Sequence, residues 1–381
     1  MKITIVADVF GEENNGTTIT IKRLIDGLVA RGHHVKIVSP LLAENTSMVE
    51  YFTVPKRSFG IFNSYVSKNG VELGKPSKEI IKKAIQGSDV VHVVLPFKMG
   101  KMAVKICKEL KKPITAAFHC QPENFSSHLG LKNSRLFNNM IYNYYRNKFY
   151  KYIGYIHCPT EFIANELEKH KYKAKKFAIS NGVIPTYKKF EAKKPKELKD
   201  KFIILFVARL SKEKRHDLLI KAIPYSKYAD RVQLIFAGRG PLEDKLKKIG
   251  KRLKNKVVIG FYPKEELSTI INFSDLYVHP SDVEIEAISC IEAMTCGLVP
   301  VISNSKRSAT RFFALCENNL FEAGSPKDLA RKIDYWIEHQ EEKNEMSNRY
   351  VDYAKQFNIE NSIDQMISMF NEAVNDYKLL K

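Results

Sequence analysis

The sequence predicts an α/β protein built from two doubly wound parallel-sheet domains facing a cleft. Three observations carry this. Short apolar runs alternate with segments of helical period. The alternation comes as two consecutive series. A charged, Pro-containing stretch, "KKFEAKKPKELKDK" (188–201), separates them. Alternating strands and helices are the pattern of a parallel sheet with helices on its faces, and two such series set end to end leave a crevice for a ligand. The 381 residues, 44% of them hydrophobic, suffice for two cores.

Taken in order, "KITIVAD" (2–8) is a strand. In "TTITIKRLIDGLVARG" the apolar positions Ile21, Leu24, Ile25 and Leu28 have helical spacing, and Gly32 suits the helix C-cap. "VKIVS" is the next strand and closes a βαβ unit. "DVVHVVLP" (89–96), the helix "MAVKICKEL" and the strand "ITAAFHC" (114–120) continue the first series. The second series runs "FIILFVAR", "HDLLIKAIPYS", "VQLIFAG", "PLEDKLKKIGKRL", "KVVIGF", "KEELSTIINF", "DLYVHPS", "EAISCIEAMTCG" and "VPVIS", strand and helix in turn, and the tail from 325 reads as helical. The expected division is a first domain over 1–185, a linker over 186–200, a second domain over 201–360, and a last helix over 361–381 packing back on the first domain.

Composition narrows the function. The balance of 62 Lys+Arg against 42 Asp+Glu, a net charge of +20, predicts an anionic partner. Asp8 interrupts the only apolar stretch near the N-terminus, which argues against a secretory signal. No apolar run approaches the roughly 20 residues that span a bilayer. The six cysteines are scattered without a C-x-x-C pair, so zinc sites and a disulfide framework are not expected. A reducing, cytoplasmic setting follows.

Motifs then fall into a known order. "FVARLSKEKRHDLLIKA" (206–222) resembles the G-R-L-x-x-E-K-G-x-x-x-L-I-x-A signature of retaining GT-B glycosyltransferases of family four. "EIEAISCIEAM" matches their E-x-seven-E spacing through Glu284 and Glu292. "CGLVPVIS" is similar to their C-G-x-P-V-I continuation with one residue more before the proline. "AGRGP" (237–241), "NGV" (181–183) and the glycine-containing first loop and helix, "NNGTTITIKRLIDGLVARG", complete the set. The resemblance covers nearly the whole chain and extends to the family's bacterial diacylglycerol glucosyltransferases. Two signature glycines are replaced by Ala208 and Arg215, and Ile285-Glu286-Ala287 stands where small residues are usual.

The resemblance implies a nucleotide-sugar donor, with UDP-glucose expected, and a role for each matching residue. Breaking the sugar–phosphate bond builds charge on the leaving diphosphate, and fixed cations stabilise it. Arg209 and Lys214 would supply them. Glu284 would accept from sugar hydroxyls and Glu292 from the ribose. A helix reaching back from Glu292 to Glu284 would put the two carboxylates on neighbouring faces. Gly260, Phe261, Ala287 and Ile288 would line the donor site. Gly16 would let backbone pass close to the ligand, and His119, ending a parallel strand, would face the donor sugar. No D-x-D occurs, so neither a metal nor any other cofactor is expected.

Residues 131–157 hold Lys132, Arg135, Arg146, Lys148 and Lys151, interleaved with aromatics that include Tyr145, and no acidic residue; "KHKYKAKK" (169–176) adds charge. Such a segment suits an anionic membrane surface. The expectation is peripheral attachment to the inner face of the cell membrane and transfer to a lipid hydroxyl such as diacylglycerol, with a sugar acceptor in a capsular or other glycan as the alternative. Basic residues with aromatics also describe single-strand nucleic-acid binders. Those need an open stacking platform, which paired α/β series do not offer, so nucleic acid is not expected. An epimerase on the same fold would need proton or water chemistry in the cleft, and the E-x-seven-E pattern favours transfer.

Overall fold

The computed structural model describes residues 1–10, 16–58 and 73–379. The chain divides into two units, Met1–Asn181 with Ile359–Lys381, and Gly182–Asn358.

In the first unit the elements run β1 (Lys2–Val6), α1 (Gly16–Ala30), β2 (His34–Ser39), β3 (Val49–Thr53), α2 (Lys78–Ile85), β4 (Val90–Val93), α3 (Lys98–Glu109), β5 (Ile114–Ala117), α4 (Pro122–His128), α5 (Arg135–Lys148), β6 (Tyr155–Cys158), α6 (Glu161–Lys169) and β7 (Lys175–Ala178). The sheet is parallel throughout, in the order β3-β2-β1-β4-β5-β6-β7. Its strands are apolar on both faces, as burial under helices on both sides requires: Ile3, Ile5 and Val6 of β1 and Val90, Val91 and Val93 of β4 are all buried. The strand order reverses between β1 and β4, the switch point where such sheets bind ligands. There Asp8 accepts hydrogen bonds from the Met99 and Gly100 amides at 3.1 and 3.3 Å, capping α3, whose own N-cap Phe97 has no side chain to do so. Burial pushes the Asp8 carboxyl up to about 6 against these bonds.

The second unit runs β8 (Phe202–Val207), α7 (His216–Ala222), β9 (Val232–Ala237), α8 (Glu243–Gly250), β10 (Val258–Gly260), α9 (Lys264–Phe273), β11 (Leu276–His279), α10 (Ile288–Thr295), β12 (Pro300–Ser303), β13 (Leu320–Phe321), α11 (Pro326–Glu338) and α12 (Gln340–Ala354). Its sheet, β10-β9-β8-β11-β12-β13, is also parallel and reverses between β8 and β11. Leu205, Phe206, Phe236, Tyr277 and Trp336 centre its core.

The last helix, α13 (Ile359–Leu379), belongs to the first unit. It lies close on α1 because Gly27 has no side chain: a Cβ there would come within 2.4 Å of Ile363. Arg31 ties the two helices through Glu360 and Asp364.

Three expectations need correction. Residues 186–200 are no free linker. Tyr187 is buried, Lys189 bonds Ser347 and Asn348, and Lys194 pairs with Asp275 at 2.5 Å, all within the second unit. The basic, aromatic segment 131–157 is not one amphipathic stretch: it contains α5 and then β6, a buried strand of the sheet. Several lysines of 169–176 are paired, Lys169 and Lys176 with Glu166 and Glu168 of the nearby α6, and Lys175 with Glu372 of the distant last helix.

Candidate functional site

The site of the second unit forms on two loops that leave adjacent strands at the switch point. After β8, residues 208–210 lie against the loop that follows β9. Ala208 donates to Ala237 O at 3.1 Å and Leu210 to Arg239 O at 2.9 Å. The approach is so close that a Cβ on Gly238 would stand 2.1 Å from Ala208 O, and one on Gly240 2.6 Å from Leu210 O. This accounts for both glycines of "AGRGP": they let one backbone brace the other, and so fix Arg209.

Arg209 donates to Glu213 Oε1 at 3.1 Å, and Ser211 Oγ donates to the same oxygen. Burial pushes the Glu213 carboxyl up, but the charges of Lys214 and Arg209 and the Ser211 bond outweigh it and hold it below the usual range. Lys214, one residue on, points to the other loop and donates to Glu284 Oε1 at 2.6 Å. The same oxygen accepts from His279 Nε2 at 3.0 Å, at the end of β11. Burial raises the Glu284 carboxyl, yet Lys214 and His279 override it and keep Glu284 ionised far below its ordinary value. Burial keeps His279 neutral. Its Nε2 therefore carries the proton toward Glu284, and Nδ1 lies 3.4 Å from the Tyr277 hydroxyl. The Tyr277 hydroxyl also meets Ser289 Oγ at 3.1 Å, and Ser289 donates to Val207 O at 2.8 Å, which ties this chain back to β8.

Two positions show how the chain does without family glycines. Arg215, at φ 57°, and Ala287, at φ 65°, are left-handed. At Arg215 the guanidinium bonds Asp282 at 3.1 Å and Asp217 at 3.3 Å, contacts a glycine could not make. Ala287 is the smallest side chain available short of glycine. It ends a non-helical segment, so α10 starts at Ile288 and does not reach back to Glu284. The backbone of Glu284 instead pairs with the 308–309 segment, where Ala309 N donates to Glu284 O at 2.9 Å. Glu292 lies on α10, buried and engaged by neighbours. Gly260 ends β10, and the exposed ring of Phe261 beside it stacks under the Arg239 guanidinium at 4.5 Å.

In the first unit His119 lies just past β5, half-buried, against His157 at 5.4 Å between ring centroids. His157 Nε2 donates to Ile179 O at 2.7 Å, and His92 Nδ1 bonds Thr115 Oγ1 at 2.9 Å. These three imidazoles line a small cavity with Ser362 and Met366 of α13. Burial, with mutual repulsion at His92 and His119, keeps all of them neutral. Gly16 opens α1, and a Cβ there would meet nothing within 4 Å. The protein's own packing therefore does not require glycine at this position; the preceding residues 11–15 lie outside the described residues.

The expected membrane residues separate. Arg135, Lys148 and Lys151 are exposed. Tyr145 is buried with its hydroxyl 3.5 Å from Cys120 Sγ, and Arg146, half-buried, donates to His170 O at 2.7 Å, so both are engaged within the first unit.

Sequence reasoning missed His279, Tyr277, Glu213 and Asp282. The histidine in "YVHPS" sits five residues before Glu284, at the carboxyl end of a strand, and that position was the available signal.

The Glycosyltransferase Family 4 model matches residues 14–187, and the Glycosyl transferases group 1 model matches residues 188–357. Together they take in both units, and the chain belongs to the GT-B glycosyltransferases of this group 1 and family 4 kind. Among relatives, it is 23% identical over 318 residues to the alpha-monoglucosyldiacylglycerol synthase of Streptococcus pneumoniae, covering 80% of this chain and 71% of that one. It is 24% identical to the GDP-mannose-dependent alpha-mannosyltransferase of Mycolicibacterium smegmatis, over 87% and 89% of the two chains. Among solved structures, HepE of Anabaena with UDP and glucose shares the fold at TM-score 0.72 and 16% identity, over 98% and 100% of the chains. The catalytic domain of the cholesterol-alpha-glucosyltransferase from Helicobacter pylori is 46% identical over 41% of this chain and 98% of that one, at TM-score 0.40.

Proposed function

We propose that this glycosyltransferase is a retaining hexosyltransferase that moves glucose from UDP-glucose to the hydroxyl of a membrane lipid, diacylglycerol in the first instance, while attached peripherally to the cytoplasmic face of the membrane. The observation that carries the donor half is the cluster of Arg209, Lys214, Glu284 and His279 at the switch point of the second sheet. Two cations, Arg209 paired with Glu213 and Lys214 with Glu284, converge where a diphosphate and a sugar would meet. The relatives named alpha-monoglucosyldiacylglycerol synthases support the lipid acceptor. The GDP-mannose-dependent mannosyltransferases among the relatives make GDP-mannose the competing donor.

In the front-face route, the acceptor oxygen bonds to the anomeric carbon on the side from which the β-phosphate oxygen departs. The acceptor proton passes to that phosphate oxygen, and configuration is retained. Arg209 and Lys214 stabilise the departing charge, in place of a metal. Glu284 orients the sugar, and Glu292 and Gly260–Phe261 hold the nucleoside. Resemblance gives His119 its role toward the donor sugar, and His119→Ala with its effect on turnover is the check.

The test is mass-spectrometric identification of the product after incubation with UDP-glucose, GDP-mannose and UDP-N-acetylglucosamine, offered diacylglycerol, a sterol or soluble sugars, with NMR of the anomeric proton. An α-glucosyl lipid made from UDP-glucose is expected. Transfer to a sterol would keep the lipid class and change the acceptor; transfer only to a soluble sugar, or an inverted product, would overturn the reading. Activity is expected to persist in excess EDTA, and its loss, with recovery on adding Mg²⁺ or Mn²⁺, would reassign the charge-stabilising groups.

A further inference from the structure

The α4–α5 hairpin of the first unit turns a row of apolar side chains outward. Leu136, Met140 and Tyr144 on α5 are 83%, 58% and 50% exposed, and Phe125, Leu129 and Leu131, on α4 and the loop after it, are 52%, 56% and 41% exposed. Helix positions four apart lie above one another. The three α5 residues therefore make one ridge, while Asn138, Tyr142 and Tyr145 occupy the buried face. The described residues carry fourteen exposed large hydrophobics, and six of them are gathered here. Scattered exposed apolar residues need no explanation, but a contiguous set marks a surface that something covers.

The charge around the ridge says what. From Asn124 to Thr160 the sequence has no Asp or Glu. Arg135 precedes the ridge, and Lys148 continues it one turn beyond Tyr144; both are exposed. From α3, Lys101 donates to the Tyr144 hydroxyl at 2.8 Å and sits 4.5 Å from its ring centroid. A second copy of the chain related by a two-fold axis would set these cations against themselves. An anionic sheet of phosphates, with hydrocarbon beneath it, matches both features.

We propose that the α4–α5 ridge seats the protein on an anionic phospholipid bilayer. Leu136 and Met140 enter the acyl boundary, Tyr144 lies at headgroup level, and Lys101, Arg135 and Lys148 lie over the phosphates. This rests on the reading above of a lipid acceptor, and it changes the mode of attachment: leucine and methionine insert, while half of the tyrosines and phenylalanines of 131–157, Tyr142, Tyr145, Phe149 and Tyr150, are buried inside the fold.

The test uses the full chain and its Leu136→Ser/Met140→Ser variant in co-sedimentation with vesicles of phosphatidylcholine, with and without phosphatidylglycerol, at two salt concentrations. Both side chains are exposed, so the variant's thermal melt is expected to match the parent's. The expected result is that the parent binds phosphatidylglycerol vesicles in a salt-sensitive way, that the variant binds at least ten-fold more weakly, and that both transfer equally to acceptor in detergent micelles. Arg135→Gln/Lys148→Gln is expected to weaken binding and flatten its salt dependence. Undiminished binding by the Leu136→Ser/Met140→Ser variant overturns the proposal. So does a parent that sediments as a dimer which the variant dissolves, since the ridge would then serve a second copy. Ridge-dependent vesicle binding without transfer to any lipid would keep the ridge and sink the acceptor reading; lipid transfer with ridge-independent binding would do the reverse.

Discussion

Lys214 Nζ lies 2.6 Å from Glu284 Oε1, and this contact ties the loop after β8 to the loop after β11 across the reversal point of the second sheet. The cation assigned to the leaving diphosphate and the carboxylate assigned to the sugar are thus one ion pair before any donor arrives. A diphosphate at Lys214 takes over part of a charge that Glu284 already balances.

Lys214→Ala and Arg209→Ala are each expected to lower kcat by about 10² or more. They should differ in stability. Lys214→Ala leaves a buried anion with one partner fewer and lowers the melting temperature. Adding Glu284→Gln to Lys214→Ala restores the melting temperature but not turnover. Near-normal rates in a folded Arg209→Ala/Lys214→Ala protein would remove this site from the reaction.

His279 acts through Glu284 and is a positioning residue. His279→Ala removes one donor from the carboxylate, so the Glu284 pKa moves up toward its ordinary value and the acid limb of the rate profile moves up with it. About ten-fold loss in kcat/KM is expected, with partial rescue by His279→Gln, which keeps an N–H toward Glu284. An unchanged acid limb in His279→Ala would refute the coupling.

Ala287 holds φ 65°, a region that costs a residue with a Cβ about 1 kcal/mol or more. Ala287→Gly is expected to raise the melting temperature of the second unit by about 2–4 °C. Arg215→Gly relieves the same strain but gives up the bonds to Asp282 and Asp217, and is expected to lose stability. Calorimetry of the two variants decides; a gain in both would show that the Arg215 contacts contribute nothing.

Buried histidines should make the fold acid-sensitive. Burial pushes His216 down to about 3, His92 to about 3 and His157 to about 4 from an ordinary 6.5. Each stays neutral folded and takes a proton unfolded. Its contribution is therefore whole above pH 6.5 and lost as pH falls toward the folded value, at about 1.4 kcal/mol per pH unit. In the first unit Asp8, raised to about 6, works the other way below that pH and offsets one of the three histidines held neutral there, His92, His119 and His157. His216 lies between Phe206 and Phe236, and neither ring nitrogen has a hydrogen-bond partner among the described residues. His216→Leu should consequently gain more stability at pH 5 than at pH 8, measured by urea unfolding; an equal shift at both would contradict the neutral buried state.

Strand and helix alternation, the two series and the ordered motifs were legible because they are local. A parallel strand under helices must be apolar, a helix must repeat near every fourth residue, and a glycine marks backbone contact whichever partner provides it. Arg209, Lys214, Glu284 and Glu292 could be named for the same reason, because the motifs whose resemblance to the family points to them are local too. The partners could not. His279 joins Glu284 because β11 ends beside it, Glu213 joins Arg209 because a 3₁₀ turn brings it round, and α13 joins the first unit because Gly27 leaves room for Ile363. Nor could composition tell which aromatics of 131–157 face water, since Tyr144 and Tyr145 are neighbours in the chain and one is exposed while the other is buried. Sequence fixes which groups are present and how each segment is disposed to fold; which of them meet, and which charge is left facing outward, depends on long-range packing that only the folded chain supplies.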